Sequence, residues 1–150
     1  MRLPLLPALL PALLPALLML ALPPSKQQAS RRADRTVWDS VFTAEQAARG
    51  EVGYEQTCAR CHQSSLGGAD EAPALAGATF LGKWNGLTLG DLHDRVRKTM
   101  PPREPGIYGR QLVTDVIAYI LSVNEFPSGK VELPVEPMSL HGIRIQATRH

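Results

Sequence analysis

The chain has 150 residues, 16 basic and 14 acidic side chains, a net charge of +2 and two cysteines. Arg2 and Lys26 lie in an N-terminal leader, and without those two the charges balance. That balance excludes the broad basic surface that nucleic acid requires, and the roughly 120 residues beyond the leader make one domain.

Leu3 to Leu22 is almost all Leu, Ala and Pro, and the run Pro7-Ala8-Leu9-Leu10 recurs from Pro11 and from Pro15. A positive residue, an apolar stretch and then a polar segment mark residues 1–29 as a secretory signal. An uncleaved anchor is the alternative, since twenty apolar residues reach across a bilayer. Pro4, Pro7, Pro11 and Pro15 argue against it, because each removes a backbone donor that lipid cannot replace. Cleavage after Ala21 or after Ala29 would leave a periplasmic protein with no stable membrane insertion. Residues 30–36 read as a linker, with Arg31, Arg32 and Arg35 in solvent.

The folded part opens at Val37. Thr43 with Gln46 three residues on reads as a capping box, which starts a helix over 44–57. Gly50 and Tyr54, four apart, share one face of it. Residues 63–82 are broken by Gly67, Gly68, Pro73, Gly77 and Gly82 and read as loop. Thr88 and Asp91 cap a second helix, which carries Leu89, Leu92, His93 and Val96 and stops at Met100 before Pro101 and Pro102. His93 is expected at its surface or edge. A final helix over 110–123 has a broad apolar face from Leu112 to Leu121. Residues 130–150 read as an unpatterned tail, with His141 and His150 solvated.

At the end of the first helix stands Cys58-Ala59-Arg60-Cys61-His62, which holds both cysteines of the chain. Two thiols at this spacing can each add to one vinyl group of a haem. The next residue, a histidine, then lies under the ring, and the pattern reads as c-type haem attachment. A disulfide or a thioredoxin-like redox pair is the alternative. Such a pair opens a helix after a strand, whereas this one closes a capped helix. Zinc needs more thiol or imidazole ligands than lie nearby.

The order of features resembles class I c-type cytochromes over about Trp38 to Gly129. Gly50 and Tyr54 precede the Cys58–His62 motif. Ala72-Pro73-Ala74-Leu75-Ala76-Gly77, then Thr99-Met100-Pro101-Pro102, then a last helix with Asp115 and Tyr119 follow. The resemblance implies an all-α fold of three to five helices around one covalent haem, with the domain at 37–129. It implies thioethers from Cys58 and Cys61, with iron bound by His62 and, from the other face, by Met100. The Pro73 carbonyl would accept the second ring proton of His62. Gly50 and Tyr54 would meet Tyr119 where the first and last helices cross. Met100 is otherwise a core residue. Trp84 is read equally as a propionate donor or as packing. Arg95, Arg97 and Lys98 form either a docking patch or a solvated face. Tyr108-Gly109 replaces the capping Ser or Asp that the family places before the last helix.

These features point to a periplasmic one-electron carrier and not an enzyme. Trp38-Asp39, the Ala72–Leu75 loop, Phe80 to Trp84 and Met100 are similar to exported cytochromes that serve quinoprotein dehydrogenases or sulfur-compound oxidation. Those enzymes would be donors, and a terminal oxidase or another cytochrome the acceptor. The alternatives are an obligate cytochrome subunit of such a complex, or a haem peroxidase or gas sensor. The last two need an iron position that Met100 would close.

Overall fold

The computed structural model describes residues 35–70 and 72–149. The expected signal, 1–29, and most of the linker lie outside them. The elements in order are β1 (Arg35–Thr36), α1 (Ala44–Thr57), α2 (Ala59–His62), α3 (Gly77–Trp84), α4 (Leu89–Thr99), α5 (Arg110–Val123), α6 (Pro137–His141) and β2 (Ile143–Arg144). The architecture is helical, with one two-stranded parallel pair. Two of the six described helices, α2 and α6, have only four and five residues. No helix among the described residues is long and apolar enough to cross a membrane.

The frame is the crossing of α1 and α5. Gly50 sits at the contact, where a Cβ would lie 1.8 Å from the Asp115 carbonyl oxygen. Only a residue without a side chain lets the two backbones approach so closely. Beside it the Tyr54 and Tyr119 rings meet at 5.4 Å, as the resemblance implied. Ile117, Ala118 and Leu121 fill the buried face of α5.

Thr43 caps α1, its hydroxyl accepting from the Gln46 amide at 3.1 Å. The other half of the expected capping box does not form. Gln46 is fully buried, and its side chain donates to Asp115 Oδ1 at 3.1 Å. It also accepts from the Leu133 amide at 2.7 Å and donates to the Leu133 carbonyl at 3.3 Å. A buried carboxamide with backbone partners at hand satisfies itself there and not at the helix end. Around α4 the Thr88–Asp91 box is complete in both directions.

Four expectations are corrected. Residues 77–82 are helix and not loop, because Phe80 and Trp84, one turn apart, bury against the core while Gly82 faces open space. Arg35 and Thr36, placed in the linker, pair with Ile143 and Arg144. Residues 130–149 are not a loose tail: Leu133, Leu140, Ile143 and Ile145 are buried. They run as a strap over α4 and the 84–88 turn, with Gly86 and Leu87 bonded to Ile145 at 2.8 Å each. His93 is not at a surface or edge but 1% exposed. His141 is exposed, as expected, and rests on Gly90 with its Nδ1 3.1 Å from the Thr88 hydroxyl.

Candidate functional site

The end of α1 delivers the cysteine–histidine motif. Cys58 closes the helix, its amide donating to the Tyr54 carbonyl at 2.8 Å. Cys61 and His62 follow on the single turn of α2. Both thiols are free, Cys61 exposed and Cys58 half-buried. Burial pushes the Cys58 thiol above its ordinary range, against the lowering effect of the Thr57 hydroxyl 3.3 Å away. The element that leads into this pair is the helix α1 and not a strand, which differs from the strand opening into a helix of a dithiol redox motif.

His62 is nearly buried, and its Nδ1 lies 2.8 Å from the Pro73 carbonyl oxygen. A carbonyl can only accept, so Nδ1 carries a proton, and in the neutral ring Nε2 keeps its lone pair. That tautomer is the one a metal ligand needs.

The loop from Gln63 to Ala76 is folded to make this contact. Gly68 turns it at φ +75, where a Cβ would lie within 2.5–2.7 Å of Ala72 O, Ala74 N and Pro73 C. The Gly68 amide donates to the His62 carbonyl at 3.1 Å, and the Leu75 amide to the Leu66 carbonyl at 2.8 Å. Two outside groups brace the loop. The Tyr54 hydroxyl donates to the Gln63 carbonyl at 2.6 Å. Burial raises the Tyr54 pKa, which keeps it a neutral donor. Asn124, at the end of α5, donates to the Leu75 carbonyl at 3.0 Å and accepts from the Gly77 amide at 2.9 Å. Sequence reasoning assigned Asn124 no part; its place just past the last helix was the only available signal.

Met100 stands apart from this group, on the loop after α4. It leaves the helix with an extended backbone, φ −117 and ψ 142, and its side chain is partly exposed. The same loop approaches the motif through Tyr108, whose hydroxyl makes a long 3.5 Å contact with the Thr57 carbonyl. Trp84 is buried and packs against Phe80 with ring centroids 6.3 Å apart. Of the three cations on α4, Arg95 is exposed and Lys98 pairs with Asp94 at 2.6 Å. Arg97 belongs to neither a docking patch nor a solvated face, because its guanidinium holds the Gly106 and Tyr108 carbonyls.

The fit to a haem follows from these residues. Two unpaired thiols on one helix end, and beside them a histidine with Nε2 free, are what covalent attachment and iron ligation require. Among the described residues no three His, Cys, Asp or Glu side chains gather to hold a bare metal ion.

Known proteins bear on the same segment. The family model described as cytochrome c oxidase, cbb3-type, subunit III matches residues 45–120, half of the chain. No curated protein matches. Among solved structures, the sulfane dehydrogenase SoxCD from Paracoccus pantotrophus aligns with 85% of this chain and 68% of its own, at 18% identity and a TM-score of 0.46.

Proposed function

Because the chain belongs to the c-type cytochrome family whose model is described as subunit III of cbb3-type cytochrome c oxidase, we propose that it is an exported carrier of single electrons with one haem. The observation that carries this reading is the 2.8 Å contact of His62 Nδ1 with the Pro73 carbonyl. When bound, the haem supplies an iron centre that gains and loses one electron.

The chain's own residues supply the rest. The Cys58 and Cys61 thiols would add across the vinyl groups, each sulfur keeping its bond to Cβ. His62 would ligate through Nε2 while Pro73 holds the proton on Nδ1 and fixes the ring plane. Met100 would be the second iron ligand, where a thioether favours the ferrous state over a second histidine. With Met100 bound, the iron would offer no position to peroxide or a gas. Trp84 would line the pocket, its N–H available to a propionate.

The partners are redox proteins that exchange one electron by contact. The runs at Trp38-Asp39, Ala72 to Leu75 and Phe80 to Trp84 support a quinoprotein dehydrogenase or a sulfur-oxidising enzyme as donor. A leader like 1–29 supports the periplasm as the place.

The test is expression of the full chain with a cytochrome c maturation system. The intact mass under denaturing conditions should rise by one haem, and only one. The oxidised protein should show the weak far-red sulfur-to-iron band, and Met100→Ala should lose it and lower the potential. A polypeptide without added mass sinks the attachment reading. Fast, stoichiometric binding of carbon monoxide to the reduced wild type would favour a sensor.

A further inference from the structure

The loop that carries Met100 is poor in its own bonds. Between Met100 and Gly109 it holds Pro101, Pro102 and Pro105, none of which has an N–H to give. Its internal bonds run from Glu104 N to Pro101 O at 3.0 Å, from Gly106 N to Met100 O at 3.2 Å and from Ile107 N to Glu104 O at 3.4 Å. These close the loop on itself and leave the carbonyls of its far limb to be satisfied elsewhere. The amides inside α4 are already spent on the helix.

Arg97 meets that need. It stands three residues before Met100, in the last turn of α4. Its Nη1 donates to the Gly106 carbonyl at 3.1 Å and to the Tyr108 carbonyl. Both bonds are charge-assisted, and both come from one planar group that is rigid beyond its stem. Arg97 therefore joins the helix before Met100 to the limb after it. The methionine backbone is caught between two fixed points.

We propose that Arg97 is the positioning residue for Met100: by bolting the 106–108 limb to α4, it sets how firmly the thioether is held toward the iron. The inference rests on the reading of Met100 as a ligand. Arg97 touches neither cysteine nor His62 in the bonds it makes. Its effect runs through the loop, and it belongs to the exchange of the methionine and not to haem attachment.

The readout is ligand substitution in the oxidised, haem-loaded protein. Free imidazole must wait for Met100 to leave, so its binding rate reports how firmly the methionine is held. Two lost bonds to a charged donor should speed imidazole entry in Arg97→Gln by about tenfold or more. Arg97→Lys keeps the charge but loses the planar group whose Nη1 holds both carbonyls, and should lie between the two at about threefold. In both variants the far-red band should vanish at a lower pH than in the wild type. Lys98→Gln, which breaks only the surface pair with Asp94, should match the wild type in rate and midpoint.

Arg97→Gln with a wild-type imidazole rate overturns the proposal, whatever its melting temperature, because a merely structural arginine would lower stability and leave exchange alone. Arg97→Lys with a wild-type rate also overturns it, by reducing the effect to charge. If Arg97→Gln does not accumulate, Arg97→Lys decides alone. Failure of the ligand reading is separate: it shows as a far-red band that survives Met100→Ala.

Discussion

The α1–α5 crossing and the C-terminal strap hold the molecule in two different ways. At the crossing, two fourteen-residue helices meet along a continuous face, and Gly50 brings backbone against backbone. Along the strap, contacts come singly. Leu133 is clasped by Gln46, Leu140 fills a site beside α4, Ile145 is bonded to the 84–88 turn, and the Gln146 carbonyl takes the Trp38 indole N–H at 3.0 Å. The crossing aligns the helix end that presents Cys58 and His62. The strap steadies α4, the helix that leads to Met100. One half of the candidate site thus leans on a repeating surface, and the other on separate anchors.

The largest effect should come from Gly50→Val. A side chain there meets backbone that cannot swing aside, so destabilisation of at least ~3 kcal/mol is expected. Thermal melting followed by circular dichroism, or failure to accumulate, would register it. A variant that melts like the wild type would mean that the helices separate freely, and the contrast with the strap would be lost.

Leu140→Ala tests the other region. A fully buried leucine at one anchor should cost about 2–5 kcal/mol in the same melt. Because the anchors are separate, the far-red band and the intact haem mass should survive it. If the band disappears with Leu140, the strap and the methionine loop are one unit and not two.

The smallest effect is expected at His93, which faces the start of α5. Both ring nitrogens are buried without a partner. Burial pushes its pKa below the ordinary 6.5, with Asp94 opposing and Arg97 and Arg110 assisting. The unfolded chain therefore binds the proton more readily, and stability falls as pH drops below 6.5. His93→Leu should flatten that acid limb and gain about 1 kcal/mol near neutrality, by removing orphaned polar atoms. Denaturant titrations at two pH values would show it; an unchanged slope would place the acid sensitivity elsewhere.

Much of the crossing was legible because its signals are local. Thr43, Thr88 with Asp91, and Pro101 mark helix ends by their own chemistry, and 44–57 and 110–123 match the observed spans. The helix at 77–84 was hidden by Gly77 and Gly82, since breakers speak louder than a single Phe80–Trp84 pair. The strap was hidden for a different reason. Leu133, Leu140, Ile143 and Ile145 follow no helical or strand period, and their burial depends on partners as distant in sequence as Arg35 is from Ile143. Gln46 was misread for the same cause, its local role losing to a distant one. At the site, the Cys58–His62 run spoke for itself, whereas Pro73 and Met100 entered only through the resemblance. Nothing in the sequence separated Arg97 from Arg95.

The pairing of Arg35 with Ile143, and of Trp38 with Gln146 across 108 positions, makes the two ends of the described chain each other's neighbours. Contacts of such separation close the largest possible loop and are the slowest to form. A chain that emerges N-terminus first must leave Val37 and Trp38 uncovered until residue 146 has followed. Cys58 and Cys61 emerge early in that interval. The clasp therefore cannot close before residues 143–146 are present, and Cys58 and Cys61 lie inside the loop that it closes.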